Sequence, residues 1–241
     1  MTDQVDLRGV TTLTFDFYGT VVDMQGGLTK GITPYLQQKG YTGEPGRVVT
    51  WWRRTHFEYS MIDALLHRAH TPYKEIGRQA VDYTLERAGI PHTTAEVTAL
   101  VAGIERLDPF PDVVEALTRL RHHGYQLTIL SNGDPDMLER GVAYSGTGHL
   151  FDRVISVAAA SSFKPHAATY GTAIQVLGVR ADQVLFVANH AFDCVGAKAA
   201  GMHTAFVNRR GRPFGNSTYP PDLIVPDFRG LADVGSAVPL E

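Results

Sequence analysis

The sequence is short of several features, and each shortage narrows the class of protein. It has a single cysteine, Cys194, so it forms no intramolecular disulfide and no zinc site built on cysteines. An excess of one charge is also missing, because 22 Lys and Arg face 25 Asp and Glu, for a net charge of −3 at pH 7. This balance gives no electrostatic reason to expect nucleic acid as a partner.

Long hydrophobic runs are absent as well. No apolar segment reaches the roughly 18–20 residues that a membrane-spanning helix requires. The first six residues are polar and acidic and lack the basic and apolar regions of a signal peptide. We therefore predict a cytoplasmic protein with no membrane partner. Its 241 residues are 44% hydrophobic and 20% charged, which is typical of a folded chain with a sizeable core.

Short apolar runs alternate with helical patterns over most of the chain. Strands are predicted at 10–17, 125–130, 154–157, 184–188, 204–207 and 223–225, and helices at 111–123, 136–144, 167–177 and 192–200. Strands separated by helices of about 10–15 residues form βαβ units. The pattern therefore predicts an α/β fold with a Rossmann-like parallel sheet.

One long segment interrupts this alternation. Between residues 27 and 106, apolar residues recur at helical spacing and no strand-like run occurs. We predict a helical cap over residues 25–107, inserted into a core made of residues 1–24 and 108–241. Gly26 and Gly27 are predicted to mark the hinge between them.

Polar residues stand where three of the predicted strands end. Asp16 follows the first strand, Ser131 and Asn132 follow the second, and the segment 189–193 follows a later one. Lys164 lies in a loop between them in sequence. Because ligands of open α/β sheets bind at the carboxyl ends of the strands, these groups are expected to converge. Each alone is typical of a turn or a helix cap, but together they favour a catalytic site.

Four motifs in this order resemble the haloacid dehalogenase superfamily, and within it the L-2-haloacid dehalogenases. They are Asp16-Phe17-Tyr18-Gly19-Thr20, Ser131-Asn132-Gly133, Lys164-Pro165 with Tyr170, and the segment 186–193. The segment 52–59 also resembles the cap of the dehalogenases. The resemblance spans residues 10 to about 210. It implies hydrolysis of short 2-haloalkanoic acids to 2-hydroxy acids through an ester on Asp16, with no cofactor and no metal, and it suggests a homodimer.

The resemblance also implies a role for each residue. Asp16 would be the nucleophile, Thr20 would hold it by a hydrogen bond, and Lys164 would keep it ionised and stabilise charge during ester hydrolysis. Asp193 would orient the lysine or activate the hydrolytic water. The residues expected to bind the substrate carboxylate, to cradle the departing halide or to support the pocket are Tyr18, Arg53, Ser131, Asn132, Tyr170, Asn189 and Phe192.

The motifs also weigh against related reactions. Phosphatases of the superfamily carry carboxylates at the positions of Tyr18 and Asn189, one to protonate the leaving group and one to help bind magnesium. A magnesium-dependent phosphatase is therefore a disfavoured alternative, and a non-catalytic binding protein is another. A related metal-free reaction stays open, the ring opening of azetidine-2-carboxylate, for which Tyr18 or His190 would supply a proton.

His190 departs from the family pattern, because the better-known dehalogenases have an amide at this position. We hypothesise that its imidazole helps to activate the hydrolytic water or reshapes the halide pocket. The alternative is a structural hydrogen bond to Asp193 or Lys164. A short basic run near the last strands, Arg209, Arg210 and Arg212, is predicted to be solvated.

Overall fold

The structure is a computed structural model, of which residues 7–66 and 70–236 are described. The N-terminal segment 1–6, on which the prediction of no signal peptide depends, lies outside them. The strands are β1 (Thr12–Phe15), β2 (Gln126–Ser131), β3 (Arg153–Ser156), β4 (Val184–Ala188), β5 (His203–Val207) and β6 (Leu223–Val225). The α-helices of the described part are α1 (Met24–Gln38), α2 (Pro45–Leu65), α3 (Tyr73–Arg87), α4 (Thr94–Val101), α5 (Val113–His122), α6 (Pro135–Tyr144), α7 (Ala167–Leu177), α8 (Ala191–Ala199) and α9 (Phe228–Ser236).

The six strands form one parallel sheet in the order β3-β2-β1-β4-β5-β6. β1 lies in the middle of the sheet, where Phe15 pairs with Ile129 of β2 on one side and with Val187 of β4 on the other. All residues of β1 and β4 are buried, including the two threonines of β1, as is typical of central strands in a parallel sheet that is covered on both faces. The predicted α/β fold with a parallel sheet is confirmed.

The interruption after β1 is also confirmed. Between β1 and α5, the described residues form α1 to α4 and a short 3₁₀ helix at Ala102–Glu105, with no sheet strand. One face of α2 repeats with helical periodicity and is buried, and it includes Val48, Trp52 and Thr55. The cap is therefore helical and inserted, and its boundaries at residues 25 and 107 stay a prediction.

The glycine pair predicted as a hinge lies at the start of a helix, and the hinge stays a prediction. Gly26 and Gly27 lie in the first turn of α1, where the Asp23 carboxylate accepts a hydrogen bond of 2.9 Å from the Gly26 amide. Asp23 thus satisfies one of the amides that a helix N-terminus leaves unpaired. In the described residues, no helix is both long and apolar enough to cross a membrane.

Candidate active site

The candidate site lies at the carboxyl ends of β1, β2 and β4, which are neighbours in the sheet. Asp16 directly follows β1, and its backbone amide donates a hydrogen bond of 3.0 Å to the carbonyl of Val187 in β4. Ser131 is the last residue of β2, and His190 follows β4 by two residues. A cavity of about 680 Å³ opens here, between this edge of the sheet and helix α2.

Three side chains hold the carboxylate of Asp16. Its Oδ1 accepts a hydrogen bond of 3.0 Å from Lys164 Nζ, and its Oδ2 accepts one of 2.7 Å from the Thr20 hydroxyl. Nδ1 of His190 lies 3.3 Å from the same Oδ2. Burial raises the pKa of Asp16, but the charge of Lys164 and the hydrogen bonds from His190 and Thr20 outweigh it and hold that pKa well below its usual range. Asp16 is therefore ionised at neutral pH.

The Lys164 ammonium connects two buried carboxylates. Besides Asp16, it donates to Oδ2 of Asp193 at 2.6 Å and to the carbonyl of Leu130 at 2.9 Å. All three of its protons are thus in use. Burial lowers the pKa of Lys164, but the two carboxylates raise it by more, so the lysine stays charged. The other oxygen of Asp193 accepts a hydrogen bond of 2.6 Å from the hydroxyl of Tyr170.

The turn after β1 is held from several sides. Gly19 has a φ of +85°, which favours glycine, and a Cβ here would lie 3.1 Å from the ring of His190 and 3.2 Å from Nη2 of Arg53. The Asn189 side-chain amide donates to the Gly19 carbonyl at 2.9 Å, and its backbone amide donates to the Thr20 hydroxyl at 3.0 Å. Asn189 therefore supports the turn that carries Asp16.

The cap contributes Arg53 to the cavity wall. Nη1 of Arg53 donates to the side-chain oxygen of Gln25 at 2.9 Å, and burial together with the charge of Arg210 lowers the pKa of Arg53 to about 10. Phe192 closes another side of the cavity and packs on Phe57 of the cap with their ring centroids 4.1 Å apart. A charged donor and an aromatic surface thus face the carboxylate from opposite parts of the fold.

The structure brings together most of the residues predicted for the site. Those that line the cavity are Asp16, Tyr18, Arg53, Asn132, Lys164, His190 and Phe192. The Tyr18 hydroxyl is buried and has no hydrogen-bond partner among the described residues. The Oδ1 of Asn132 accepts a hydrogen bond of 2.9 Å from the Lys164 backbone amide, which fixes the loop that carries the lysine.

The remaining predicted residues lie beneath the cavity rather than in its wall. Ser131 is fully buried, and its hydroxyl accepts a hydrogen bond of 3.3 Å from the Gly133 amide. Tyr170, Asn189 and Thr20 hold other site residues, as described above. Ser131, Tyr170 and Asn189 are not among the residues that line the cavity, and their contact with the substrate stays a prediction.

The prediction that the basic run is solvated is wrong for Arg209, whereas Arg210 and Arg212 are exposed as predicted. Arg209 is largely buried and forms two hydrogen bonds of 2.9 and 3.0 Å with the Asp112 carboxylate. Its guanidinium also donates to the Thr20 carbonyl at 3.1 Å, next to the nucleophile turn. Arg210 and Arg212 line the cavity. The charge of Arg209 indicated solvation, whereas its partners are distant in sequence.

Carboxylates that would bind a metal are scarce at this site. Where phosphatases of the superfamily have acids, the structure has the Tyr18 phenol and an Asn189 amide that is bonded to a carbonyl. Among the described residues, no group of three or more His, Cys, Asp and Glu side chains could hold a metal ion.

The fold and this site together define a hydrolase with an α/β core, a helical cap and an ionised carboxylate at the sheet edge. The chain belongs to the haloacid dehalogenase-like hydrolase family, whose model matches residues 10–201. It is 36% identical to an (S)-2-haloacid dehalogenase of Xanthobacter autotrophicus over 83% of this chain and 76% of the relative. It is 30% identical to haloacetate dehalogenase H-2 of Moraxella sp. (strain B) over 91% of this chain and 95% of that protein.

Solved structures agree with the sequence comparison. The L-2-haloacid dehalogenase of Xanthobacter autotrophicus with chloropropionic acid covalently bound matches with a TM-score of 0.82. It is 31% identical, and the match covers 93% of this chain and 98% of that one. Both the cap and the sheet core therefore fall within the similarity.

Proposed function

We propose that this protein is a hydrolytic dehalogenase that converts short 2-haloalkanoic acids, such as haloacetate or L-2-halopropionate, into 2-hydroxy acids. The observation that carries the proposal is the carboxylate of Asp16, which lines the cavity, is buried and is held ionised by Lys164. The names of the relatives give such acids as their substrates. A carboxylate in this state is a competent nucleophile because burial strips it of water and its contacts fix its orientation.

In the first step, an oxygen of Asp16 attacks C2 of the substrate, and the carbon–halogen bond breaks as the new carbon–oxygen bond forms. The halide leaves as an anion and requires no proton. Arg53 is suited to receive it, because a guanidinium stays charged and presents several donors. The product of this step is an ester between Asp16 and the substrate, and the substrate carboxylate keeps its charge.

In the second step, water attacks the carbonyl carbon of that ester. The bond that breaks joins the Asp16 carboxyl carbon to the oxygen that is attached to C2 of the substrate. Lys164 stabilises the negative charge that develops on the carbonyl oxygen. The 2-hydroxy acid leaves, and one oxygen of Asp16 now comes from water. The proton that the water loses needs a base in the cavity wall.

We assign that base to His190 rather than to Asp193. Because the ionised Asp16 only accepts hydrogen bonds, Nδ1 of His190 carries the proton in their 3.3 Å contact, and Nε2 is the ring nitrogen that can take a proton from water. Asp193 has no exposed surface, and both of its oxygens are occupied by Lys164 and Tyr170. Its role is to hold the lysine in place.

The test is a single turnover in H₂¹⁸O with enzyme in excess over 2-chloropropionate. We expect one ¹⁸O atom in the Asp16 carboxylate, read by mass spectrometry of the peptide, and none in the first hydroxy acid released. Asp16→Asn is expected to abolish turnover. Label in the product alone, or full activity of the variant, would contradict the ester mechanism.

Two other substrates separate this function from its alternatives. Opening the ring of azetidine-2-carboxylate at C2 would require a proton for the leaving nitrogen, and the unpartnered hydroxyl of Tyr18 lines the cavity. Burial and nearby groups raise the pKa of Tyr18 well above its usual value, which makes it a poor acid. A phosphatase would release phosphate in the presence of magnesium and lose activity with chelator. Halide release that persists in EDTA supports the dehalogenase.

The cellular location and the oligomeric state of the protein stay predictions. We propose a cytoplasmic homodimer, as the family resemblance suggests, and size-exclusion chromatography with light scattering tests the assembly.

A further inference from the structure

The cavity wall carries more positive charge than a monocarboxylic acid needs. Four guanidinium groups line it, those of Arg53, Arg54, Arg210 and Arg212. Asp16 is the one carboxylate among the described residues of the wall, and it is already paired with Lys164. This local excess occurs in a protein whose net charge is −3, so it does not reflect an overall basic composition.

These four arginines have no ion pair in the part of the chain that the structure describes, unlike Arg140 and Arg209, which bind carboxylates. Arg210 also repels both Arg53 and Arg212. After burial, the charge of Arg210 is the next cause that lowers the pKa of Arg53, and the charge of Arg212 does the same to Arg210. The charge of Asp23 offsets this repulsion only in part, because the pKa values of both Arg53 and Arg210 are still lowered. Adjacent like charges in this state are stabilised when an anion binds between them.

The loop that carries Arg210 and Arg212 is anchored. Its root is Arg209, which is bonded to the core through Asp112. The Asn208 side chain accepts a hydrogen bond of 2.9 Å from the Arg212 amide. The backbone carbonyl of Asn208 accepts one of 3.2 Å from the Gly211 amide. The two arginines are exposed at the mouth of the cavity, but their backbone is held.

The size of the cavity points the same way. At about 30 Å³ for each water molecule, its 680 Å³ holds roughly twenty waters. A haloacetate has only two carbons, two oxygens and one halogen, so it fills the space of about five waters. Such a substrate, with one carboxylate and one departing halide, would occupy the region around Asp16 and Arg53 and leave the mouth to solvent.

We propose that the preferred substrates are 2-halodicarboxylic acids, with the carboxylate remote from C2 bound by Arg210 and Arg212. This inference rests on the proposed function and specifies its substrate class. The chemistry is unchanged: Asp16 displaces the halide from C2, water cleaves the ester, and the products are a halide ion, a proton and a 2-hydroxydicarboxylate.

The experiment compares kcat/KM for the enantiomers of 2-chlorosuccinate with that for L-2-chloropropionate, measured as halide release at fixed ionic strength. The double variant Arg210→Gln/Arg212→Gln is compared with the wild type. Arg180→Gln is the matched control for lost charge, because Arg180 is 72% exposed, pairs with Asp182 and precedes β4 at the opposite edge of the sheet. Succinate and propionate serve as competitive inhibitors.

We expect the wild type to favour one enantiomer of chlorosuccinate over chloropropionate. In the double variant, this ratio of kcat/KM falls about tenfold, mostly through KM, since each exposed charge pair contributes up to about fivefold. Inhibition by succinate weakens in parallel, and Arg180→Gln leaves the ratio unchanged.

Three outcomes would overturn the inference. In one, the wild type prefers chloropropionate. In another, both substrates lose equal activity in the double variant and salt removes the difference, which indicates electrostatic steering of any anion. In the third, neither substrate releases halide, and the proposed function then fails as well. If chloropropionate alone is turned over, the proposed preference for dicarboxylic acids is refuted and the proposed dehalogenase activity stands.

Discussion

Replacing His190 by glutamine is expected to separate the two half-reactions. In the structure, the imidazole contacts Asp16 at 3.3 Å and also lines the cavity, so it serves both the free nucleophile and the ester. A glutamine amide can still donate a hydrogen bond to the carboxylate, but it cannot take a proton from water. Ester formation should therefore survive, whereas ester hydrolysis should slow.

The contacts set the size of each effect. Asp16 keeps its hydrogen bonds from Lys164 and Thr20, and the glutamine can replace the third, so the rate of ester formation should change by no more than about tenfold, which is the weak end of the range for a hydrogen bond to a charged group. Removing a general base costs about 10²-fold to 10⁴-fold. The lower figure corresponds to about 2.7 kcal/mol on the barrier to ester hydrolysis.

The assay is a rapid-quench experiment with His190→Gln and excess substrate. We expect a burst of one halide per enzyme, then slow turnover, and a mass increase on the peptide that contains Asp16. His149→Gln is the control, because His149 is exposed and lies just before β3, at the opposite edge of the sheet. An unchanged rate of ester hydrolysis, with no burst, would refute the base role and leave a structural one.

Three further predictions concern the groups around the nucleophile. Arg209→Gln should lower the free energy of unfolding in urea by about 3 kcal/mol because it breaks a buried ion pair, whereas Arg229→Gln, whose pair is exposed, should change it by less than about 1 kcal/mol. Tyr170→Phe removes the donor to Asp193, so ester hydrolysis should slow about tenfold with little effect on ester formation. Equal slowing of both steps would argue for general misfolding. Because the pKa of Asp16 is lower in the folded state than its unfolded value of about 3.9, its ionisation stabilises the fold above about pH 4, and this contribution is lost as the pH falls through the folded-state pKa. In the His190→Gln variant, which has no imidazole beside Asp16, the rate of ester formation should accordingly be constant from about pH 5 to 8, and a loss below pH 6 would contradict the ionised state.

Local patterns predicted most of the sheet core because they reflect local physics. The predicted bounds of α7, β4 and β6 match the structure, since a helix ending at Gly178 and short apolar runs between polar residues are encoded by neighbouring residues. α9 was not predicted. It has Gly230 and Gly235 within nine residues, and it is held by burial of Phe228, whose amide donates to Asp112 at 2.7 Å.

The candidate site was predicted where the residues share one edge of the sheet and missed where a partner is remote. Asp16, Lys164 and His190 follow or flank strands, so topology alone brings them together. Arg209 lies in a basic run, and its residue type alone does not distinguish it from the other arginines there. Its partners are Asp112 and the Thr20 carbonyl, 97 and 189 residues away in sequence, and no local pattern identifies them.

The two carboxylates that share Lys164 differ in what surrounds them, and this difference decides which one is the nucleophile. Asp193 has no exposed surface, and its burial raises its pKa more than the lysine lowers it. Asp16 keeps a small exposed fraction of 6%, lines the cavity and has a lowered pKa. When an ester forms on Asp16, the lysine loses one negative partner and keeps Asp193. The ammonium therefore stays charged and aligned at the ester carbonyl, where the second step requires it.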